Sequence, residues 1–377
     1  MKEYTKWVAA WGNAPSIHEQ TEIRYTKDVT LRYPVFIVFD GDSLRLHFSN
    51  LTGFEPVSFK ACVSYLESFY DVTVKGDRVL HLDAHQADLT TDEIKVDITA
   101  GTQIEVTIYL EDYTLMDSGV FICGPLSMGQ YAYGNEMYTR DFPLDTSRKM
   151  NWYYFLIGVD VHTEDKNHAL ICYGDSITAQ NWPDELTIRA WENGFHDISI
   201  IRRAVSGTRI LRQYDNITYA AYGLKGEIRF PVEMRTAGAD SVLIHHGIND
   251  IIHPVGEAVN IFRPMSDLPT LEELKEGYTR LYINYARILG YKVYGGTLLP
   301  IEGWRTYAPF REELRSRFND WLRTTSLLDG CVDFDKAVRD PGHPTRFRPD
   351  CDSGDHLHPS AHGYLTMAQA VDDTLLK

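Results

Sequence analysis

Basic residues are too few in this sequence to balance the acidic ones. Its 377 residues include 37 lysines and arginines against 53 aspartates and glutamates, which gives a formal net charge of -16 with histidine neutral. A chain with this charge repels polyanions, so DNA, RNA and anionic membrane surfaces are disfavoured as partners. A neutral or cationic partner is the expectation.

Cysteines and long apolar runs are scarce as well. The cysteines are odd in number and show no CxxC spacing, which favours free thiols in a reducing compartment over a disulfide framework or a zinc site. The opening stretch MKEYTKWVAAWGNAPS has no signal-peptide core, and no later run approaches the length of a membrane span. We therefore expect a cytoplasmic protein, with a secreted mature form as the alternative, and five free thiols: Cys62, Cys123, Cys172, Cys331 and Cys351.

Long helical periodicity is missing from the first part of the chain, where apolar and polar residues alternate over short stretches. Several such strands joined by turns predict an antiparallel sandwich or jelly roll. The polar segment from His162 to Asn167 is the best candidate for a boundary, so we expect one domain over residues 1–162 and a second over 163–377. The alternating stretches include Leu44–Phe48, Ile94–Ile98 and Ile104–Leu110.

Beyond that segment, short apolar runs alternate with helical patterns, which predicts a parallel sheet covered by helices on both faces. One helical pattern begins at Thr270, and Glu273 completes a capping box with it. The predicted fold class is α/β, with an antiparallel sandwich placed before it. The apolar runs are Ala169–Tyr173, Ile198–Ile201, Ser241–His246 and Lys292–Leu299.

The tripeptide Gly-Asp-Ser occurs twice, so the sequence offers two candidate nucleophiles. Ser43 follows Asp40-Gly41, a dipeptide favoured in hairpin turns, and we interpret it as part of a hairpin. Ser176 lies between the buried-type strand Ala169–Tyr173 and a helical pattern, at the edge where open α/β sheets place their ligands. Unpaired backbone N–H groups are available there to face negative charge. Ser176 is the predicted nucleophile.

Three further blocks follow Ser176 in order, each in a loop or just past a predicted strand. They are IRRAVSGTRIL with Gly207, VLIHHGINDII with Asn249, and SGDHLHPSAHGY with Asp355 and His358. With these blocks over about residues 168–377, the chain resembles the SGNH hydrolases, also called GDSL-type esterases. The N-terminal part is more loosely similar to the β-sandwich that precedes the catalytic domain in some of them, often carbohydrate esterases that remove acetyl groups.

The resemblance implies an SGNH-type three-layer domain and a role for each residue of the blocks. A serine hydroxyl is almost unionised at neutral pH and needs an adjacent base, and a carboxylate fixes the tautomer of a histidine base. By resemblance, Ser176 is the nucleophile, His358 the base and Asp355 its orienting carboxylate, while the oxyanion donors are the N–H groups of Ser176 and Gly207 and the amide of Asn249. The second block departs from the family, with Arg203 and Ala204 where relatives usually have Asn and Gly.

Other histidines near these blocks offer competing interpretations. A metal role for His245 and His246 is disfavoured because no acidic or cysteine ligand shares their spacing, so a structural role is expected. His356 and His362 compete with His358 for the role of base. Only the Asp-x-x-His-Pro pattern favours His358.

One acidic residue and two tryptophans complete the candidates. Asp250 offers a second carboxylate for glycosidase chemistry, although capping the following segment is the simpler interpretation. Aromatic rings line sugar-binding clefts because the apolar faces of pyranoses pack on them. Trp304, in the loop-like stretch LLPIEGWRTYAP, and Trp182 are the predicted substrate contacts.

These features predict a serine esterase that removes acetyl or other short acyl groups from a carbohydrate through an acyl-enzyme. The expected partner is an acetylated sugar or oligosaccharide, and no metal or organic cofactor is implied. Two alternatives stay open. One is an esterase, thioesterase or lysophospholipase that acts on acyl chains, and the other is a carbohydrate-binding protein whose hydrolase domain is inactive.

Overall fold

The computed structural model describes residues 3–16, 24–214 and 222–377. Within these ranges, the chain forms two compact units. The first holds the chain up to Ala169 with Gly194–Ile201 and Thr236–Gly238, and the second holds Leu170–Asn193, Arg202–Arg235 and Ala239–Lys377. The single boundary expected between residues 162 and 163 stays a prediction.

Antiparallel strands make up the first unit, as the alternating pattern predicts. Turns separate them at short intervals, and many of their buried residues are β-branched or aromatic, which suits a half-buried pleated surface. They are β1 Lys6–Gly12, β2 Tyr25–Thr26, β3 Val29–Ile37, β4 Gly41–Phe48, β5 Val57–Tyr65, β6 Ser68–Asp71, β7 Val79–Leu82, β8 Leu89–Thr90, β9 Ile94–Ile98, β10 Thr102–Leu110, β11 Thr114–Leu115, β12 Gly119–Phe121, β13 Gly129–Tyr133, β14 Ser147–Met150, β15 Trp152–Tyr154 and β16 Leu156–Thr163.

Two sheets of this unit share one core. The first has the order β1-β16-β4-β8, with β9 also paired to β4, and the second has the order β14-β13-β3-β10-β5-β6, with β7 paired to β5. Phe48 of β4 lies edge-on to Phe59 of β5, with 5.1 Å between ring centroids. Both rings are buried, so side chains of the two sheets interdigitate as in a sandwich.

The first Gly-Asp-Ser tripeptide lies inside this sandwich, and the hairpin predicted at Asp40-Gly41 is wrong. Strand β3 pairs with β10 and β13, whereas β4 pairs with β16, β8 and β9, so the dipeptide connects two different sheets. Ser43 is buried within β4, where its hydroxyl donates to Asp42 and accepts from the ammonium of Lys95. A local turn signal does not reveal which sheet the next strand joins.

Strands and helices alternate in the second part of the chain, which confirms the predicted α/β class. The sheet order is β18-β17-β19-β20-β21, and β20 is parallel to both β19 and β21. The elements are β17 His168–Gly174, α1 Trp182–Glu192, β18 Ile198–Ala204, α2 Gly226–Glu233, β19 Ala239–His245, α3 Ile248–Ile252, α4 Leu271–Gly277, α5 Asn284–Ile288, β20 Lys292–Gly296, α6 Pro309–Thr324, β21 Gly330–Val332, α7 Phe334–Val338 and α8 Ala361–Ala370.

The capping box predicted at Thr270 is present at the start of α4. The Thr270 hydroxyl accepts from the N–H of Glu273, and the Glu273 carboxylate accepts from the N–H of Thr270. The helical path then continues through a π-helical turn, Tyr278–Ile283, into α5. Such turns are often found near functional sites, and here the turn carries the fully buried Tyr282.

Two further expectations concern bonds and membranes. No disulfide joins the five cysteines, all of which lie in the described ranges. Across the part of the chain that the structure describes, no helix is both long enough and apolar enough to cross a membrane.

One buried ion pair of the sandwich makes its stability depend on pH. His47 Nε2 lies 2.9 Å from Asp160 Oδ2, and His47 Nδ1 lies 3.1 Å from Asp88 Oδ1. Burial lowers the pKa of His47, but the two carboxylates outweigh that effect and raise it to about 9. Because this pKa exceeds the value of about 6.5 in an unfolded chain, the stabilisation is complete below pH 6.5 and is lost as pH rises through 9.

We therefore expect the melting temperature of the wild type to fall between pH 6.5 and pH 9.5. The loss corresponds to up to about 3 kcal/mol of unfolding free energy. His47→Gln should be less stable at pH 6.5 and should show a smaller decline over the same interval. Thermal melts of both proteins at matched ionic strength measure this, and parallel declines would contradict it.

Candidate functional site

Ser176 lies in the turn that follows strand β17, at the edge of the parallel sheet. The strand ends at Gly174, where an added Cβ would lie 2.5 Å from the carbonyl oxygen of His245 and 2.3 Å from the hydroxyl of Thr178. Glycine is therefore required at that position for the turn to pack against β19. Ser176 itself is half-buried, and helix α1 begins six residues later at Trp182.

A histidine and an aspartate from the C-terminal loop complete a chain of hydrogen bonds. Ser176 Oγ lies 2.8 Å from His358 Nε2, and His358 Nδ1 lies 2.7 Å from Asp355 Oδ2. The other oxygen of Asp355 accepts from the backbone N–H groups of Leu357 and His358 at 2.9 and 2.8 Å. The three-residue spacing between Asp355 and His358 therefore places the carboxylate and the imidazole in the same turn, facing each other.

The surroundings of Asp355 keep its carboxyl ionised. Burial raises the pKa of this carboxyl, but hydrogen bonds from the ring and the backbone of His358, and from Leu357, hold it well below its usual value. A carboxylate there fixes Nδ1 of His358 as the protonated nitrogen, so that Nε2 accepts the proton of Ser176. Chemically, an arrangement of this kind can activate a serine hydroxyl for attack on an acyl group.

Gly207 and Asn249 lie close to each other in the same unit. Gly207 has a φ of 75°, and an added Cβ would lie 2.2 Å from the ring of Tyr222, so both conformation and space require glycine. Asn249 is buried in α3, and its Nδ2 donates to the carbonyl of Thr208 at 3.1 Å. The loop after β18 is thereby joined to the start of α3.

Asp250 supports this loop and does not cap a helix. Its carboxylate oxygens accept from the backbone N–H groups of Ile210 and Leu211 at 2.8 and 3.0 Å. Burial raises the pKa of Asp250 to about 6, although these two N–H groups oppose the effect. The cap predicted from the sequence is therefore corrected: the carboxylate holds the loop that begins with Gly207.

Sequence reasoning missed Asp175, which separates Gly174 from the nucleophile. It is fully buried, and burial raises its pKa to about 7 even though Oδ1 accepts from the N–H of Ile177 at 3.1 Å. A charged residue next to a candidate nucleophile and directly after an apolar strand is the signal that could have identified it.

The competing histidines have other partners. His356 Nδ1 lies 2.6 Å from Asp352 Oδ2, and His362 Nε2 lies 3.3 Å from Asp350 Oδ2. His245 and His246 are fully buried, and burial lowers the pKa of both, to about 4 for His245.

One group of residues has ligand atoms close enough to hold a metal ion. Atoms of Asp350, Cys351 and His362 lie within 4.8 Å of one another. The guanidinium of Arg348, however, donates to Cys351 Sγ at 3.1 Å and to Asp350 at 3.2 Å. Because a fixed cation already occupies this position, the group fits a metal poorly.

The two predicted substrate contacts differ in their surroundings. Trp304 stands edge-on to the imidazole of His358, with 6.4 Å between ring centroids, and its indole Nε1 is buried without a hydrogen-bond partner. Trp182 is fully buried and packs against Phe334 at 5.3 Å. No face of Trp182 is open to a ligand, so its prediction as a substrate contact is wrong.

The sequence of this chain matches the model of one known protein family. A family model described as "GDSL-like Lipase/Acylhydrolase family" matches residues 172–365. No match is found among curated proteins.

Several solved structures are similar to parts or all of the chain. LAE5, described as an alpha/beta hydrolase enzyme from the metagenome of Lake Arreo, is 16% identical over 54% of this chain and 92% of its own, with a TM-score of 0.40. The acetylxylan esterase Axe2 of Geobacillus stearothermophilus is 16% identical over 54% and 91%, with a score of 0.36. A family two carbohydrate esterase of Cellvibrio japonicus is 10% identical over 96% of both chains, with a score of 0.31. Similarities of this size carry no argument about substrate.

Two Asp–His pairs in one loop allow a matched test of the hydrogen-bond chain. We expect Asp355→Asn to lower kcat for p-nitrophenyl acetate by about 10³–10⁴-fold, because an amide stabilises the wrong tautomer of His358. Asp352→Asn, which changes the neighbouring pair with His356, should leave kcat within about threefold, since that pair does not contact Ser176. Steady-state kinetics of both variants measure the difference, and equal losses would refute the assignment.

Proposed function

We propose a mechanism and a substrate class for this chain, which belongs to the GDSL-like lipase/acylhydrolase family and is a carboxylic ester hydrolase. The proposed reaction is the removal of acetyl groups from a carbohydrate through an acyl-enzyme on Ser176. The observation that carries the mechanism is the 2.8 Å contact between Ser176 Oγ and His358 Nε2. That contact is within the reach a general base needs.

Acylation begins when Ser176 Oγ attacks the ester carbonyl carbon and His358 Nε2 takes the hydroxyl proton. The imidazolium that forms is stabilised by the ionised Asp355. Collapse of the tetrahedral intermediate transfers that proton to the departing sugar oxygen and leaves an acetyl group on Ser176. Water activated by His358 then attacks the acetyl group, which releases acetate and restores the serine.

Negative charge on the carbonyl oxygen needs hydrogen-bond donors that are fixed beforehand. The proposed donors are the backbone N–H groups of Ser176 and Gly207 and the amide of Asn249. One Nδ2 hydrogen of Asn249 is used by Thr208, which orients the amide and leaves its second hydrogen for a substrate. Removing one such donor typically lowers kcat by about 10²–10³-fold.

A cavity with both charged and apolar groups in its lining favours a hydroxylated substrate over a long acyl chain. It has a volume of about 520 Å³, within the range of small-molecule sites. Its lining includes the ion pair of Glu302 and Arg346, with Asp352 and His356, beside the apolar side chains of Phe347 and Pro349. Planar charged groups of this kind bind pairs of sugar hydroxyls, and apolar side chains pack against the C–H face of a sugar ring.

Two lining residues of the cavity, Gly303 and His356, are close in sequence to Trp304 and to the proposed base His358. Gly303, which lines the cavity, precedes Trp304, and an added Cβ on Gly303 would lie 2.6 Å from the ring of His356. His356 in turn is two residues from His358. We propose that a sugar ring bound in this cavity extends toward Trp304, whose ring is nearly perpendicular to the imidazole of His358. The cytoplasmic location expected from the sequence stays a prediction.

Acetate release from acetylated xylan and other acetylated glycans tests the reaction. We expect Ser176→Ala to lose activity by at least about 10³-fold because no nucleophile remains. Ser43→Ala should retain activity, since Ser43 is enclosed in the sandwich. Equal acetate release by wild type and Ser176→Ala would overturn the choice of serine.

Chain length of the acyl group separates the two esterase hypotheses. We expect p-nitrophenyl acetate to be hydrolysed with a higher kcat/KM than the octanoate and palmitate esters, because Glu302, Arg346 and Asp352 in the cavity lining are charged and do not favour a long apolar chain. Kinetics on this ester series make the measurement. A preference for the long chains would favour the acyl-chain esterase and reject the sugar substrate.

The cavity itself is tested through Arg346. We expect Arg346→Ala to raise KM for acetylated xylo-oligosaccharides about five- to tenfold, a loss of up to about 1.4 kcal/mol of binding. Both kcat and the KM for p-nitrophenyl acetate should be unchanged, because that ester carries no sugar. Arg317→Ala is the matched control, as this exposed arginine pairs with Glu313 on α6. If the two variants give the same KM for the oligosaccharides, the cavity is not the sugar site.

A further inference from the structure

Arg229 is a buried cation that belongs to none of the sequence blocks. It lies on α2, and its side chain is 1% exposed. A buried charge is costly unless it is paired and all of its hydrogen-bonding groups are satisfied. Glu233, one turn further along the same helix, provides the pairing: its two oxygens accept from Nε and Nη2 of Arg229 at 2.7 and 2.8 Å.

The other three N–H groups of this guanidinium donate to the segments that carry the proposed oxyanion donors. Nη1 donates to the carbonyl of Gly174 at 3.2 Å and to the hydroxyl of Thr208 at 2.7 Å, and Nη2 donates to the carbonyl of Arg203 at 3.3 Å. With the two bonds to Glu233, all five donors of an arginine are used.

Two of these acceptors lie within two residues of a proposed donor, and the third, Arg203, precedes Gly207 by four residues. Gly174 precedes the nucleophile by two residues, and Thr208 directly follows Gly207. The carbonyl of Thr208 also accepts from the side-chain amide of Asn249 at 3.1 Å. One side chain therefore connects the backbone near Ser176 to the backbone near Gly207, and through Thr208 to Asn249.

Thr208 is the centre of this network because its hydroxyl uses every hydrogen-bonding position. It donates to the carbonyl of Val205 at 2.9 Å and accepts from Arg229. His246 Nε2 lies 3.1 Å from the same oxygen, and His246 Nδ1 lies 2.8 Å from the hydroxyl of Tyr282. This histidine therefore donates through Nε2 and accepts from Tyr282, which gives it the structural role that its sequence position favours.

We propose that Arg229 and Thr208 are positioning residues that set the relative placement of the three oxyanion donors. The proposal rests on the proposed function, because those donors matter only if the reaction passes through an oxyanion on Ser176. Preorganised donors act through their geometry, so a small shift of the loop lowers the rate without loosening substrate binding. In this role both residues act through the groups that they hold in place and not through contact with the substrate.

The substitution Arg229→Lys keeps the positive charge but not the five donors, so it shows which of the two the loop placement requires. A lysine ammonium has three donors on a flexible stem and does not reproduce the planar fork of arginine. We expect Arg229→Lys to lower kcat for p-nitrophenyl acetate about 100-fold, with KM within twofold of wild type. Thr208→Val keeps the volume and removes the shared hydroxyl, and we expect a loss of about 10- to 100-fold.

A second buried arginine in the same unit provides the control for stability. Arg315 donates to both oxygens of Glu312, to Asp335 and to the carbonyl of Leu298, and none of these belongs to the Ser176, Gly207 or Asn249 segments. Arg315→Lys should lower the melting temperature about as much as Arg229→Lys does while retaining kcat. If Arg315→Lys loses kcat in proportion to its melting temperature, Arg229 is merely structural.

Affinity for methylboronic acid gives a readout specific to the oxyanion. Its adduct with Ser176 is tetrahedral and anionic, so its inhibition constant should rise in Arg229→Lys and Thr208→Val by the same factor as kcat falls, while KM for the neutral p-nitrophenyl acetate stays within twofold. Unchanged boronate affinity in both variants would overturn the proposal.

The Ser176→Ala variant separates failure of this proposal from failure of the proposed function. If Ser176→Ala keeps its activity, the proposed function is wrong. If Ser176→Ala is inactive and both positioning variants match wild type, only the positioning role is wrong. Should Arg229→Lys not fold, Thr208→Val decides.

Discussion

In the proposed mechanism, activation of Ser176 depends on one hydrogen bond to His358, and these two residues are 182 positions apart in the chain. That contact forms because β17 ends beside the loop before α8, so the carboxyl edge of the sheet collects groups from distant segments. The nearest support is local: Asp355 shapes its own turn through two backbone N–H groups and faces the imidazole with its other oxygen. Loss of either contact would leave a serine with ordinary, weak nucleophilicity.

Behind this contact lie three buried ionisable side chains. Asp175, Arg229 and Asp250 are all withdrawn from water, and each donates to or accepts from backbone groups of the loops around Ser176. Burying charge costs folding free energy, and the apolar β-strands that surround these groups do not require it. A site that must hold donors in place gains from such groups, because hydrogen bonds to the backbone fix loops that side-chain packing alone leaves free. The folding stability of this unit and the placement of the proposed donors around Ser176 therefore depend on the same buried groups.

Local signals in the sequence were sufficient for much of the fold. The capping box at Thr270 and the strand–helix alternation depend on neighbours in the chain, and both are present. The prediction of a hairpin at Asp40-Gly41 was wrong because a local turn signal does not determine which sheet the next strand joins. Trp182 failed because aromatic rings bury equally well in a core or a cleft. Arg229 was invisible because its acceptors at Gly174 and Thr208 lie 55 and 21 residues away, although an Arg-x-x-x-Glu pair in a short helix with apolar neighbours is a usable signal.

The central claim is that Ser176 becomes nucleophilic only through His358. Labelling with a fluorophosphonate, followed by peptide mass spectrometry, tests it without any assumption about the natural substrate, because the reagent bonds to activated serines. The account predicts one adduct, on the peptide that contains Ser176, and a labelling rate at least about 100-fold lower in His358→Ala. An adduct on Ser43, or labelling of Ser176 at an undiminished rate in His358→Ala, would contradict it.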